Sequence, residues 1–101
     1  MARVTTAIVV SSNGDNIINS PGNGKTLSLY WIFMSSSMNN TNEVLATVKL
    51  GSKVVYQCHL GNPGAFSHAE LVSADSPDDK LIVNLSAGGQ AVAVNFTTED
   101  A

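Results

Sequence analysis

Apolar and polar residues alternate with a period of two along most of this chain, and clusters rich in Gly, Asn, Ser and Asp interrupt the alternation at short intervals. Side chains on a strand point alternately to its two faces, so this pattern predicts strands joined by turns. Residues 3–10 set Val4, Thr6, Ile8 and Val10 against Thr5, Ala7 and Val9. Asn13-Gly14 follows in a turn cluster, then a short strand at Ile17-Ile18, then a second turn over residues 19–24. Residues 25–37 hold the richest apolar run and the only Trp. As a regular strand this run places Leu27, Leu29, Trp31 and Phe33 on one face and Ser28, Tyr30, Ile32 and Met34 on the other. A strand apolar on both faces needs cover on both, from a second layer of the same chain or from another subunit. Three aromatics and the preceding Pro21-Gly22 favour strand over helix.

The second half repeats the pattern. Residues 43–50 turn Val44, Ala46, Val48 and Leu50 inward, Gly51-Ser52 makes a two-residue hairpin turn, and residues 53–60 turn Val54, Tyr56, Cys58 and Leu60 inward. Residues 61–67 read as an irregular loop and 69–74 as a short strand. Strands over 80–86 and 90–97 flank Gly88-Gly89, and residues 98–101 read as a frayed acidic tail. The expectation is a single domain over residues 1–101, all-β, a single antiparallel β-sandwich of the eight-stranded jelly-roll kind. Strand count alone does not separate it from an immunoglobulin-like sandwich.

Composition narrows the function classes. Apolar residues make up 44% and charged residues 13%, which argues against a disordered chain. The net charge of −3, with five scattered basic residues, speaks against a nucleic-acid partner. No apolar run reaches the roughly 18 residues of a membrane helix. The first six residues lack the apolar segment of a signal peptide, which points to synthesis in a cytoplasm. Cys58 is the only cysteine, so no internal disulfide is expected. A small domain with a core of modest side chains also gains from self-association.

Candidate chemistry is sparse. Gly24-Lys25-Thr26 looks like the end of a phosphate loop, but Asn19 stands where the first Gly belongs and a strand follows. Cys58 and His59 are adjacent and point to opposite strand faces, so with His68 they do not make a zinc site within one chain; His68 meeting its copies on a symmetry axis is the surviving version. Asp75, Asp78 and Asp79 lack calcium-loop spacing and read as a turn. No Gly-x-Ser-x-Gly or Ser-x-x-Lys occurs. Asn39, Asn84 and Asn95 begin Asn-x-Ser/Thr triplets, which without a secretory signal are chance matches. The expectation is a protein that is no enzyme, with no cofactor and no metal.

From Ser20 onward the chain resembles small virion proteins of tailed bacteriophages, including capsid decoration (cement) proteins. The resemblance rests on residues 21–29 entering the long strand, Ser35-Ser36-Ser37 after it, the hairpin over 48–52, the late strand over 79–86 and the final alternating strand over 91–96. In this chain Gly88-Gly89 precede the last strand and Phe96 stands near its end, where the family pattern has an internal Gly and a Tyr. The resemblance implies a structural role on the capsid exterior, as a homo-oligomer, often a trimer, bound between major capsid subunits. Tyr30, Ile32 and Met34 are the expected subunit contact, and the N-terminal edge at Arg3, Val4 and Thr5 is expected to extend a neighbouring sheet. The alternatives are a tail, neck or fibre component, or a carbohydrate-binding β-sandwich.

Overall fold

A computed structural model describes residues 3–37, 40, 42–61 and 63–101. Asn39, the first of the Asn-x-Ser/Thr positions, lies outside the described residues. These residues form nine strands and no helix: β1 (Val4–Val10), β2 (Gly14–Asn19), β3 (Leu27–Ser36), β4 (Val44–Leu50), β5 (Lys53–Leu60), β6 (Gly64–His68), β7 (Val72–Ser73), β8 (Leu81–Leu85) and β9 (Val92–Asp100). Two antiparallel sheets face each other. The first runs β1-β9-β3-β6, with β7 pairing the start of β3, and the second runs β2-β8-β4-β5. The all-β sandwich expected from the alternation is present.

The core lies between the sheets. Val10, Leu27, Leu29, Ile32, Met34, Val92, Val94 and Phe96 come from the first sheet, and Val44, Ala46, Val48, Leu50, Leu60, Leu81, Val83 and Leu85 from the second. The inward positions of β4, β8 and β9 are those that simple alternation predicts.

Three strands carry a bulge, in which one extra residue shifts the alternation by one. In β3 the partners on β9 step from Leu29↔Thr98 to Trp31↔Thr97, so Tyr30 is the extra residue. Beyond it, Ile32 and Met34 point inward, while Trp31 and Phe33 point out. This corrects the regular-strand reading, in which Trp31 and Phe33 share one face with Leu27 and Leu29, the residues that here enter the core. In β5 Val55 is the extra residue, since Val48 faces Tyr56 and Lys49 faces Val54. Val54 is therefore exposed, against expectation, and Val55 packs on the core. Ile18 plays the same part in β2.

Two segments expected to be irregular are strands. Gly64–His68 pairs with the second half of β3. The last residues continue β9 as far as Asp100, between β1 and β3, instead of fraying.

The Gly51-Ser52 hairpin turn forms as expected, with Gly51 at φ 65. A Cβ there would also approach the Asp79 side chain to 2.5 Å. Gly51→Ala is expected to cost about 1–2 kcal/mol, from left-handed backbone strain in a residue with a side chain. A thermal melt checks this, with a midpoint lower by roughly 5–15 °C.

Candidate interaction surface

The outer face of the first sheet is assembled from residues that alternate with the core positions of β1, β9, β3 and β6. The register lines them up in three rows. Val9, Ala93, Ser35 and Ala65 form the first; Ala7, Asn95, Phe33 and Ser67 the second; Thr5, Thr97 and Trp31 the third. None of these side chains is ionisable, and most are small. Two large apolar groups stand out from this face, Val9 at 67% and Phe33 at 38% exposure. Shallow depressions lie at either side. One is lined by Trp31, Phe33, Ser67, His68 and Ala69, the other by Val9, Ser35, Ser37, Ala91 and Ala93.

Among the described residues, charge on this face appears at the end of the sheet where β1 begins. The Arg3 guanidinium carbon sits 3.9 Å from the centroid of the Tyr30 ring, and the Tyr30 hydroxyl donates to Glu99 Oε1 at 2.8 Å. Arg3 just before β1, Tyr30 on β3 and Glu99 on β9 thus form a chain over the outer face, where Tyr30 lies by simple alternation with the buried Leu29. Next to it the Thr5 and Thr97 hydroxyls are 2.7 Å apart.

The residues expected to form the subunit contact divide. Ile32 and Met34, at 1% and 0% exposure, fill the core of the single chain and present nothing to a partner. Their expected role on an outer face is corrected by the bulge, which exchanges them for Trp31 and Phe33. Tyr30, Arg3, Val4 and Thr5 are accessible, with Val4 exposed at the open end of the sandwich. Sequence reasoning missed Phe33, Trp31 and Val9 as surface groups. The Tyr-Trp pair at the bulge is the one local signal, because two adjacent bulky aromatics facing the same way need an extra residue.

The outer face of the second sheet sets a polar row beside a mixed one, in which Ile17 and Val54, exposed at 60% and 57%, flank Ile82 and Lys49. Asp15, Asn84, Thr47 and Gln57 lie in one row across its four strands. Asn84 Nδ2 donates to Asp15 Oδ1 at 2.8 Å and Gln57 Nε2 to Thr47 Oγ1 at 2.9 Å. Lys49 Nζ is 2.8 Å from Asp15 Oδ1. The Lys49 contact first, then the Asn84 bond, holds the Asp15 carboxyl below its ordinary range. This polar row satisfies its own members and is suited to solvent.

The reactive residue types are dispersed. Among the described residues, no three His, Cys, Asp or Glu side chains come together in a way that holds a metal ion. His68 packs on Tyr56, with ring centroids 4.5 Å apart, and edge-on to Phe66 at 6.4 Å, closing one side of the sandwich. Cys58 is half-buried, and burial raises its thiol pKa, the opposite of the shift that activates a nucleophilic cysteine. The acidic turn is used structurally: Asp78 Oδ1 accepts from the Gly24 N–H at 2.7 Å, and Asp75 pairs with Lys53 at 2.9 Å. Lys25, the phosphate-loop candidate, is exposed in a turn before a strand. No protein-family model matches the chain, and no curated protein matches it.

Proposed function

We propose that this chain is a virion structural protein, a capsid decoration protein that binds between major capsid subunits on the outside of a phage head as a homo-oligomer. The uncharged outer face of the first sheet carries this reading. It offers a broad surface of small and apolar side chains to another protein, and its members are strand residues held in place by the core beneath them. A decoration protein requires stability and a complementary surface, and its role needs no reactive group. The strand order supports the jelly-roll form of the sandwich. Counting β6 and β7, which pair with successive parts of β3, as one interrupted strand leaves eight, and the sheets then run 1-8-3-6 and 2-7-4-5. That is the arrangement of two interleaved Greek keys.

Binding to heads of the encoding phage, prepared without the protein, tests the reading. The chain is expected to co-sediment with bare heads in a saturable manner. Phe33→Asp is expected to weaken this binding at least tenfold, because it places a charge amid the uncharged face. Val54→Asp, on the opposite sheet, is expected to leave it unchanged. Absence of binding to heads would overturn the reading, and equal losses from the two variants would overturn the assignment of the face.

A second reading is favoured by one observation. Trp31 and Phe33 face outward beside Ser67 and Asn95, which is the combination of aromatic platform and hydrogen-bonding groups that a sugar ring needs. A carbohydrate-binding module would show saturable quenching or a shift of Trp31 fluorescence with glycans; a decoration protein would not.

A further inference from the structure

The two sheets have four edges, formed by β1, β6 with β7, β2 and β5. An edge strand carries unpaired backbone N–H and C=O groups at every second residue, and folded proteins blunt such edges with charge, proline, bulges or shortness. Three of the four are blunted here. The β6 and β7 edge is split into strands of five and two residues. The β2 edge is bulged at Ile18 and carries Asp15, and the β5 edge is bulged at Val55 and carries Lys53. The β1 edge, Val4-Thr5-Thr6-Ala7-Ile8-Val9-Val10, has none of these devices. It is seven residues long, in unbroken register with β9, and free of charge and proline. Among the described residues nothing pairs its outer side.

We propose that β1 pairs with β1 of a second copy, antiparallel across a two-fold axis at Ala7, joining the two first sheets into one continuous sheet. The sequence of the strand is complementary to itself in that register. Val4 opposes Val10, Thr5 opposes Val9, Thr6 opposes Ile8, and Ala7 opposes Ala7. β-branched residues thus meet β-branched residues on both faces, a favourable set of cross-strand pairs. The one flanking charge, Arg3, falls opposite Ser11 and lies far from its own copy, whereas a parallel in-register pair would set Arg3 on Arg3. Pairing β1 with any other edge of a second copy meets a bulge, a charge or a short strand, so the contact is isologous and closes as a dimer. It also covers Val4 and Val9, exposed at 55% and 67%, and merges two copies of the uncharged face into one. The inference rests on the edge alone and stands or falls apart from the capsid reading.

Light scattering on the purified chain reads the mass, expected at twice the 10.5 kDa of one chain. Ala7→Lys and Ala7→Glu each set like charges face to face on the axis, and each is expected to weaken self-association about tenfold or more. An equimolar mixture of the two is expected to recover the dimer, a result that misfolding does not mimic. In a Cys58→Ser background, Ala7→Cys is expected to form a cross-linked dimer under mild oxidation, since directly opposed antiparallel residues have Cα atoms about 4.5–5.5 Å apart, within disulfide reach. Thr5→Cys, whose copies lie about 13 Å apart in this register, is expected to stay uncross-linked. A monomer, a trimer, a dimer unaffected by Ala7→Lys, or cross-linking of Thr5→Cys in place of Ala7→Cys would overturn the pairing. A trimer would do so while leaving the capsid reading intact.

Discussion

Ile32→Asp is expected to unfold the protein, and Phe33→Asp, one residue further on, to leave it folded. Ile32 lies wholly within the core, against the second sheet. Its replacement removes a large apolar side chain, worth about 2–5 kcal/mol when truncated in a core. It also buries a carboxyl group with no partner, which adds several kcal/mol or forces the group to protonate. The sum rivals the roughly 5–15 kcal/mol that holds a domain of this size together. Phe33 projects from the other side of the same strand, more than a third exposed, and a carboxylate there stays hydrated. Its cost is expected near 1 kcal/mol, from the buried part of the ring. Urea denaturation with far-UV circular dichroism separates the two. The reverse ranking would show that β3 runs through Tyr30 without a bulge.

That contrast also marks where the sequence stops being legible. Alternation correctly predicts the inward residues of β4, β8 and β9, because these strands are regular from end to end. It fails in β3 and β5 at a single residue each, Tyr30 and Val55, and every later side chain in β3 is then assigned to the wrong face. In a run such as Leu29-Tyr30-Trp31-Ile32-Phe33-Met34 all positions are apolar, so either phase looks acceptable, and only pairing with β9 decides. The β6 strand was hidden for a related reason. Gly64, Ala65 and Ser67 have weak strand preference, and the second half of β3 supplies the pairing that extends them.

The candidate surface was legible in part. Arg3, Val4 and Thr5, expected to extend a neighbouring sheet, and Tyr30, expected in a subunit contact on the long strand, are accessible in the fold. Ile32 and Met34 were not surface residues, and the groups that replace them on the outer face follow from the bulge alone. The difference in character between the two sheets was not legible either. It arises from register: Asp15, Asn84, Thr47 and Gln57 are far apart in sequence and become one polar row only when β2, β8, β4 and β5 align. The first sheet has no such row, and it also holds the unblunted β1 edge.

Deleting residues 97–101 is expected to unfold the chain at room temperature, although the sequence reads most of this stretch as a frayed tail. β9 lies between β1 and β3, so the deletion removes pairing on two sides at once. Thr98 loses its places opposite Val4 and Leu29, and Asp100 its place opposite Leu27. Ala101 and Thr26 exchange backbone hydrogen bonds of 3.0 and 2.9 Å. Side chains tie the same segment to the end of β2 and the turn that follows it: Asp100 Oδ2 accepts from the Gly22 N–H at 2.6 Å, and Thr98 Oγ1 accepts from Asn19 Nδ2 at 2.7 Å. At about 0.5–1.5 kcal/mol for each hydrogen bond, with Leu27 and Leu29 also losing cover, the total loss is about 5 kcal/mol or more. Asp100→Ala isolates one member of this set and is expected to cost about 1.5–3 kcal/mol, the range for a bond to a charged acceptor. A truncated chain that melts with the full chain would show the segment to be an appendage. A large loss on truncation with a small one for Asp100→Ala would place the stabilisation in strand pairing, where the position of β9 between β1 and β3 requires it.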